Sequence, residues 1–147
     1  MVHALEEIHR LLRPEGKLID IHPVPQPSTV QIIRDGEVMF AEPKRDITDE
    51  NEDVQHADQA IAEVLAREVF ALERSDEFDF FSHARTVPEL REFWDRYNDY
   101  SDTPKAESRL AQEEAVYARA EKTRQELGEE AEAAIHEITK IARLKPI

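Results

Sequence analysis

Apolar residues recur at Ala4, Leu5, Ile8, Leu11 and Leu12, the spacing of an amphipathic helix. No Ser, Thr, Asp or Asn precedes this stripe, so its first N–H groups have no side-chain cap. The pattern breaks at Arg13-Pro14-Glu15-Gly16, a turn in which Pro14 presets φ at the second position and Gly16 suits the fourth. Leu18, Ile19 and Ile21 follow without a clean polar face. That run predicts a strand covered on both sides, as in the middle of a parallel sheet.

The prolines at 23, 25 and 27 mark a loop. Two alternating runs, Val30 to Ile33 and Val38 to Ala41, flank Asp35-Gly36, a favoured two-residue turn. They predict a hairpin over 29–41, read as an insertion on a larger fold. An acidic stretch leads into a predicted helix from Val54 to Glu73, whose apolar face is Val54, Ala57, Ile61, Val64, Leu65 and Leu72. Glu52 and Asp53 precede it, where the helix dipole favours negative charge.

Phe78 to Ala84 reads as a strand. Thr86-Val87-Pro88-Glu89 is a capping box with proline in the first turn, opening a helix that carries Leu90, Phe93, Trp94 and Tyr97. Thr103-Pro104 begins another helix, which runs to Leu127 and stops at Gly128. Its apolar stripe is thin (Leu110, Tyr117, Leu127), which suits a solvent-facing or a partner-contacting helix. In the last segment Ala134, Ile135, Ile138, Ile141 and Ala142 recur at helical spacing. The isoleucines and the closing Lys145-Pro146 could also form an edge strand, but the pattern alone slightly favours helix.

The 147 residues suffice for one domain, 1–147. A net charge of −14 argues against a nucleic-acid or anionic-membrane partner, both of which want a basic surface. With no cysteine, disulfides, thiolate nucleophiles and sulfur-ligated zinc are excluded, and the expected location is cytoplasmic. No apolar run approaches the roughly 20 residues that span a bilayer, and no signal peptide is visible.

The stretch from Ala4 to Pro23 resembles class I S-adenosylmethionine-dependent methyltransferases. There a helix ending in a motif like "al.ei.RvLkPGG.lv..d" leads into the fifth strand of the central sheet. Ala4, Leu5, Glu7, Ile8, Arg10, Leu12, Pro14, Gly16, Leu18 and Ile19 match that motif. Glu15 stands where a first glycine is usual, which favours a type I turn over type II. After the fifth strand the family has a helix, a sixth strand and an antiparallel seventh. The resemblance therefore implies an α/β fold, a partial doubly wound, Rossmann-like sheet with flanking helices and an inserted hairpin. Residues 86–127 become an inserted helix pair. The final segment, 133–144, becomes a strand, against its slightly helical pattern.

The family holds its cofactor with a glycine-rich loop after the first strand and an acidic residue after the second. This sequence has three glycines, Gly16, Gly36 and Gly128, each already placed in a turn, a hairpin and a helix end, and no G-x-G. The resemblance thus implies the C-terminal half of the domain, beginning inside a helix. It implies no cofactor in this chain alone, and S-adenosylmethionine only if a missing half completes it. An unpaired apolar edge on the strand would invite a homo-oligomer or a separate N-terminal half. The implied activity is methyl transfer to an unknown acceptor, with the chain alone inactive. The rival reading is a non-enzymatic acidic protein-interaction module.

Asp20 and His22 are the substrate-side candidates. They lie two apart on the implied fifth strand and so on one side of it, at the carboxyl edge where open α/β sheets place ligands. The competing explanation for His22 is a strand-end histidine bonded to loop backbone. None of the six histidines forms H-x-x-x-H or H-E-x-x-H, so no metal site is expected. Asp46, Asp49, Glu50, Glu52 and Asp53 lack the glycine and alternation of a calcium loop and read as a solvated acidic loop, as does Asp95 to Asp102. Phe78, Phe80, Phe81, Phe93, Trp94 and Tyr97 are expected in helix–sheet packing rather than in acceptor stacking. No catalytic residue is nominated.

Overall fold

The computed structural model describes residues 1–44, 52–98 and 107–147. These form a mixed α/β fold of four helices and a five-stranded antiparallel sheet: α1 (Val2–Leu11), β1 (Leu18–Pro23), β2 (Thr29–Arg34), β3 (Glu37–Pro43), α2 (Glu52–Ala66), β4 (Phe70–Ala84), α3 (Val87–Asn98), α4 (Glu107–Leu127) and β5 (Glu132–Pro146). The chain divides into two compact units. One is Met1–Gln26, Glu50–Asp79 and Ile138–Ile147, and the other is Pro27–Asp49 and Phe80–Glu137.

In the first unit, α1 ends as its pattern predicts. Gly16 N–H donates to Arg13 O across 2.8 Å, closing the turn. Glu15 has no positive φ, which fits type I. A Cβ on Gly16 would stand 2.9 Å from Arg13 O, so the turn needs a residue without one. α1 and α2 pack together, and their apolar stripes meet in a core of Leu5, Ala60, Ile61, Val64, Phe70 and Leu144. The His9 ring stands edge-on to Phe70.

The strand expected inside a parallel sheet is differently placed. β1 pairs antiparallel with β5, from Leu18 opposite Leu144 to Pro23 opposite Thr139. Its burial alternates: Leu18, Asp20 and His22 are half-buried, while Ile19 and Ile21 are 50% and 58% exposed. Helices cover one face of β1 rather than two, so the run of apolar residues is not a doubly covered strand. Among the described residues β1 pairs with β5 alone. The Rossmann-like doubly wound sheet expected from the resemblance is not what these residues form, because their sheet is antiparallel.

The helix expected to reach Glu73 stops at Ala66. Glu68 takes a left-handed φ of 55°, its N–H donates to Leu65 O, and Val69 N–H reaches back to Val64 O. That is a Schellman stop, made without glycine. Strand β4 therefore begins at Phe70, earlier than Phe78, and Leu72 is an exposed strand residue rather than part of a helix face. Ile147 N–H meets Val69 O, and Arg143 pairs with Glu73. One number falls as the other climbs, so β4 runs antiparallel to β5.

In the second unit, β2 and β3 form the expected hairpin. Asp35 and Gly36 turn it with φ of 53° and 79°. β2 also pairs antiparallel with the first part of β5, with Val30 opposite Ile135. The final segment is thus a strand, as the order of elements implied and against its local helical pattern. α3 opens on half of the expected capping box: Glu89 N–H donates to Thr86 Oγ1, while Glu89 Oε2 accepts the N–H of Arg85, one residue before the cap, rather than that of Thr86. α4 is described from Glu107 and lies against β2 and β3. It buries Val116, Tyr117 and Ala120 with Val30, Ile32, Val87, Leu90 and Ile135, so it is neither wholly solvent-facing nor centred on Leu110, which is exposed. Arg34 Nη1 donates to Leu127 O at its last turn, and Gly128 follows with a φ of 92°. Lys44 is buried with Nζ 5.2 Å from the Trp94 ring and 5.8 Å from the Tyr117 ring.

The aromatic group is mostly outside the cores. Phe78, Phe80, Phe81 and Phe93 are exposed, and Trp94 packs on a core, alone among those of the expected set whose side chains are described. Phe80 and Phe81 point to opposite faces of β4, so neither face is fully covered there. Phe81 stacks on His136 at 4.7 Å. The side chain of Tyr97, the acidic residues 46, 49 and 50, the side chains of Glu52 and Asp53, Thr103-Pro104, and residues 99–102 of the second acidic stretch lie outside the described residues.

Candidate functional site

Strand alternation brings Asp20 and His22 to the same side of β1, and the register sets Lys140 of β5 directly opposite His22. α2 covers this side and contributes Asp58, next to Ala57 and one turn before Ile61, both core-facing. Four side chains from three elements of the first unit thus converge.

His22 stands between two carboxylates. Its Nδ1 is 2.6 Å from Asp20 Oδ2, and its Nε2 is 3.2 Å from Asp58 Oδ1. Lys140 Nζ donates to the same Asp58 oxygen across 2.9 Å. The His22 side chain is 10% exposed, against 21% for Asp20, 33% for Asp58 and 31% for Lys140, so the cluster is driest at His22 and wetter toward Asp58 and Lys140. Burial works to raise the Asp58 carboxyl. The hydrogen bonds from Lys140 and His22 outweigh it and hold the group below the usual carboxylate range.

The Asp–His contact is a short, charge-assisted bond that fixes ring orientation and favours a proton on Nδ1. Nε2 donates to Asp58 when the ring carries both protons, and in the neutral ring it is the nitrogen that can take a proton from another molecule. His22 does not spend its bonds on loop backbone, the competing expectation. The sequence brought Asp20 and His22 forward but not their partners. Asp58 sits inside a stretch read only for its apolar stripe, and Lys140 lies in the segment whose pattern favoured helix. Without the β1–β5 register nothing in the sequence placed Lys140 beside His22.

No family model, curated protein or solved structure matches the chain.

The other histidines make separate contacts. His3 pairs with Glu6, His83 with Glu132, and His136 stacks on Phe81. Among the described residues no group of three histidine or carboxylate side chains is arranged to hold a metal ion, and no helix is long and apolar enough to cross a membrane. The three glycines serve the turn at Gly16, the hairpin at Gly36 and the end of α4 at Gly128.

Proposed function

We propose that this chain is the acceptor-side part of a methyl-transferring fold, with His22 the base that takes a proton from the methyl acceptor. The cofactor, S-adenosylmethionine, which supplies the methyl group, belongs to a glycine-rich half that these residues do not contain. That half is joined to this chain or provided as a separate polypeptide.

The reading is supported first by connectivity. The helix, the Pro14-x-Gly16 turn and β1 are followed by α2, β4 and a β5 antiparallel to β1, the order that the resemblance to class I methyltransferases implies. The edge of β1 that β5 does not use offers a place for a strand of the other half. Pairing there would make β1 interior and the sheet partly doubly wound. The exposed Ile19 and Ile21 would then gain cover.

The observation that carries the chemistry is the 2.6 Å contact between Asp20 and His22 on this strand. A carboxylate-oriented imidazole at a strand's carboxyl end is the arrangement a general base requires. When the acceptor's X–H bond breaks, the proton forms a bond to Nε2, the electron pair stays on X, and Asp20 stabilises the imidazolium.

The test begins with the coding DNA that flanks this chain, read for a glycine-rich strand–loop–helix segment. Joined to or co-expressed with that segment, the chain is expected to bind S-adenosylmethionine in a calorimetric titration, and the chain by itself is not. The absence of any such segment, or a completed protein that does not take up the cofactor, overturns the proposal. Tight binding by the chain alone overturns the placement of the cofactor half. If the flanking DNA fails, the exposed apolar residues of β1 favour the interaction-module reading.

A further inference from the structure

The two carboxylates on His22 are not equivalent. Asp20 holds Nδ1 at 2.6 Å and, on the same strand, moves with the ring. Asp58 reaches Nε2 at 3.2 Å from a different element, and its Oδ1 is shared with Lys140 at the shorter 2.9 Å. The oxygen that touches Nε2 is thus held more closely by the ammonium than by the ring. Asp58 and Lys140 are also the more exposed members of the cluster.

We infer that Asp58 is a displaceable placeholder on the working nitrogen of His22, and that Lys140 is the residue that retains it when an acceptor group arrives. The inference rests on the reading of His22 as a base. It adds that the acceptor presents a hydroxyl or amine N–H to Nε2, in the position Asp58 Oδ1 occupies. Asp58 accepts a bond from Nε2 only while that nitrogen carries a proton; once Nε2 is a lone pair the two face each other as acceptors, and such a group donates the hydrogen bond that Asp58 cannot. The carboxylate then keeps its bond to Lys140, so it is not left as an unpaired charge in a partly buried place. Asp58 and Lys140 act through His22 and are positioning residues.

Two readouts test this on the full chain without cofactor. Long-range proton–nitrogen NMR of the neutral His22 ring should find the proton on Nδ1. D58N should keep that tautomer, and D20N should shift it toward Nε2–H. Carbethoxylation of His22 by diethyl pyrocarbonate, located by mass spectrometry, should be several-fold faster in D58A. It should be no faster in K140M, because Lys140 then no longer competes for Asp58 and the carboxylate pairs fully with Nε2–H of the protonated ring, the form that does not react.

A merely structural network loosens when Lys140 is removed, so faster modification in K140M overturns the inference. A wild-type ring with its proton on Nε2 overturns it too, and this measurement needs no variant to fold. Neither readout involves S-adenosylmethionine. A failed cofactor test therefore leaves these outcomes standing, and a wrong tautomer leaves the connectivity argument untouched.

Discussion

Lys140 Nζ donates to Asp58 Oδ1 across 2.9 Å, tying β5 to α2 beside His22. The bond makes the first unit sensitive to acid. Asp58 is held below its ordinary value, burial opposing and the Lys140 and His22 hydrogen bonds prevailing. A depressed carboxyl contributes stability that is present above the unfolded-chain value, about 3.9 for Asp. That contribution is lost as pH falls through the lowered folded value. Urea midpoints followed from neutral pH into acid should fall less steeply in D58N than in the wild type. Parallel curves would show that the pair contributes nothing.

Phe70 is 1% exposed, and its ring fills the core of the first unit beside Val64 and Leu144. Phe70→Ala should cost about 3–5 kcal/mol through lost transfer energy and the cavity left behind. Equilibrium urea unfolding checks this. A cost under about 1 kcal/mol would mean that the site collapses freely.

Glu68 occupies the left-handed position after α2 with a φ of 55°. A side chain is disfavoured there and glycine is not. Glu68→Gly should raise stability by up to about 1 kcal/mol, with a higher thermal midpoint. A lower midpoint would indicate that the Glu68 side chain contributes more than its backbone conformation costs.

Glu121 of α4 accepts the Val87 N–H at 3.1 Å and so satisfies a free donor at the start of α3. The hydrogen bonds from Arg124 hold its carboxyl below the usual range, against burial, and the Val87 N–H adds to this. Glu121→Ala should cost about 1–2 kcal/mol. Glu121→Gln, which keeps an acceptor oxygen, should cost less and should flatten the acid limb of stability. Amide exchange at Val87 should rise in Glu121→Ala.

Ile21 tests the revised place of β1. On a strand with one exposed face, Ile21→Thr should change the stability of the chain alone by no more than about 0.5 kcal/mol. A loss of about 2 kcal/mol or more would mean that a second face is covered in this chain.

The features legible in the sequence were those set by neighbouring residues. Pro14 and Gly16 fix a turn, Asp35-Gly36 a hairpin, Thr86 and Glu89 a helix start, and Gly128 a helix end, because φ preferences and local hydrogen bonds act over a few residues. The stop of α2 was hidden because Glu68 does glycine's work there; with it, Leu72 was placed on a helix face and the start of β4 was set at Phe78 rather than Phe70. Asp20 and His22 were identified as a pair because strand alternation is a local rule.

What surrounds them was decided by tertiary structure alone. The β1–β5 register brings Lys140 to His22, and the seat of α2 brings Asp58. The same register makes β1 antiparallel and leaves Ile19 and Ile21 exposed, where an apolar run by itself suggested cover on both sides. Apolarity states that a residue gains by burial. Which neighbour buries it depends on contacts distant in sequence, and no local pattern encodes those.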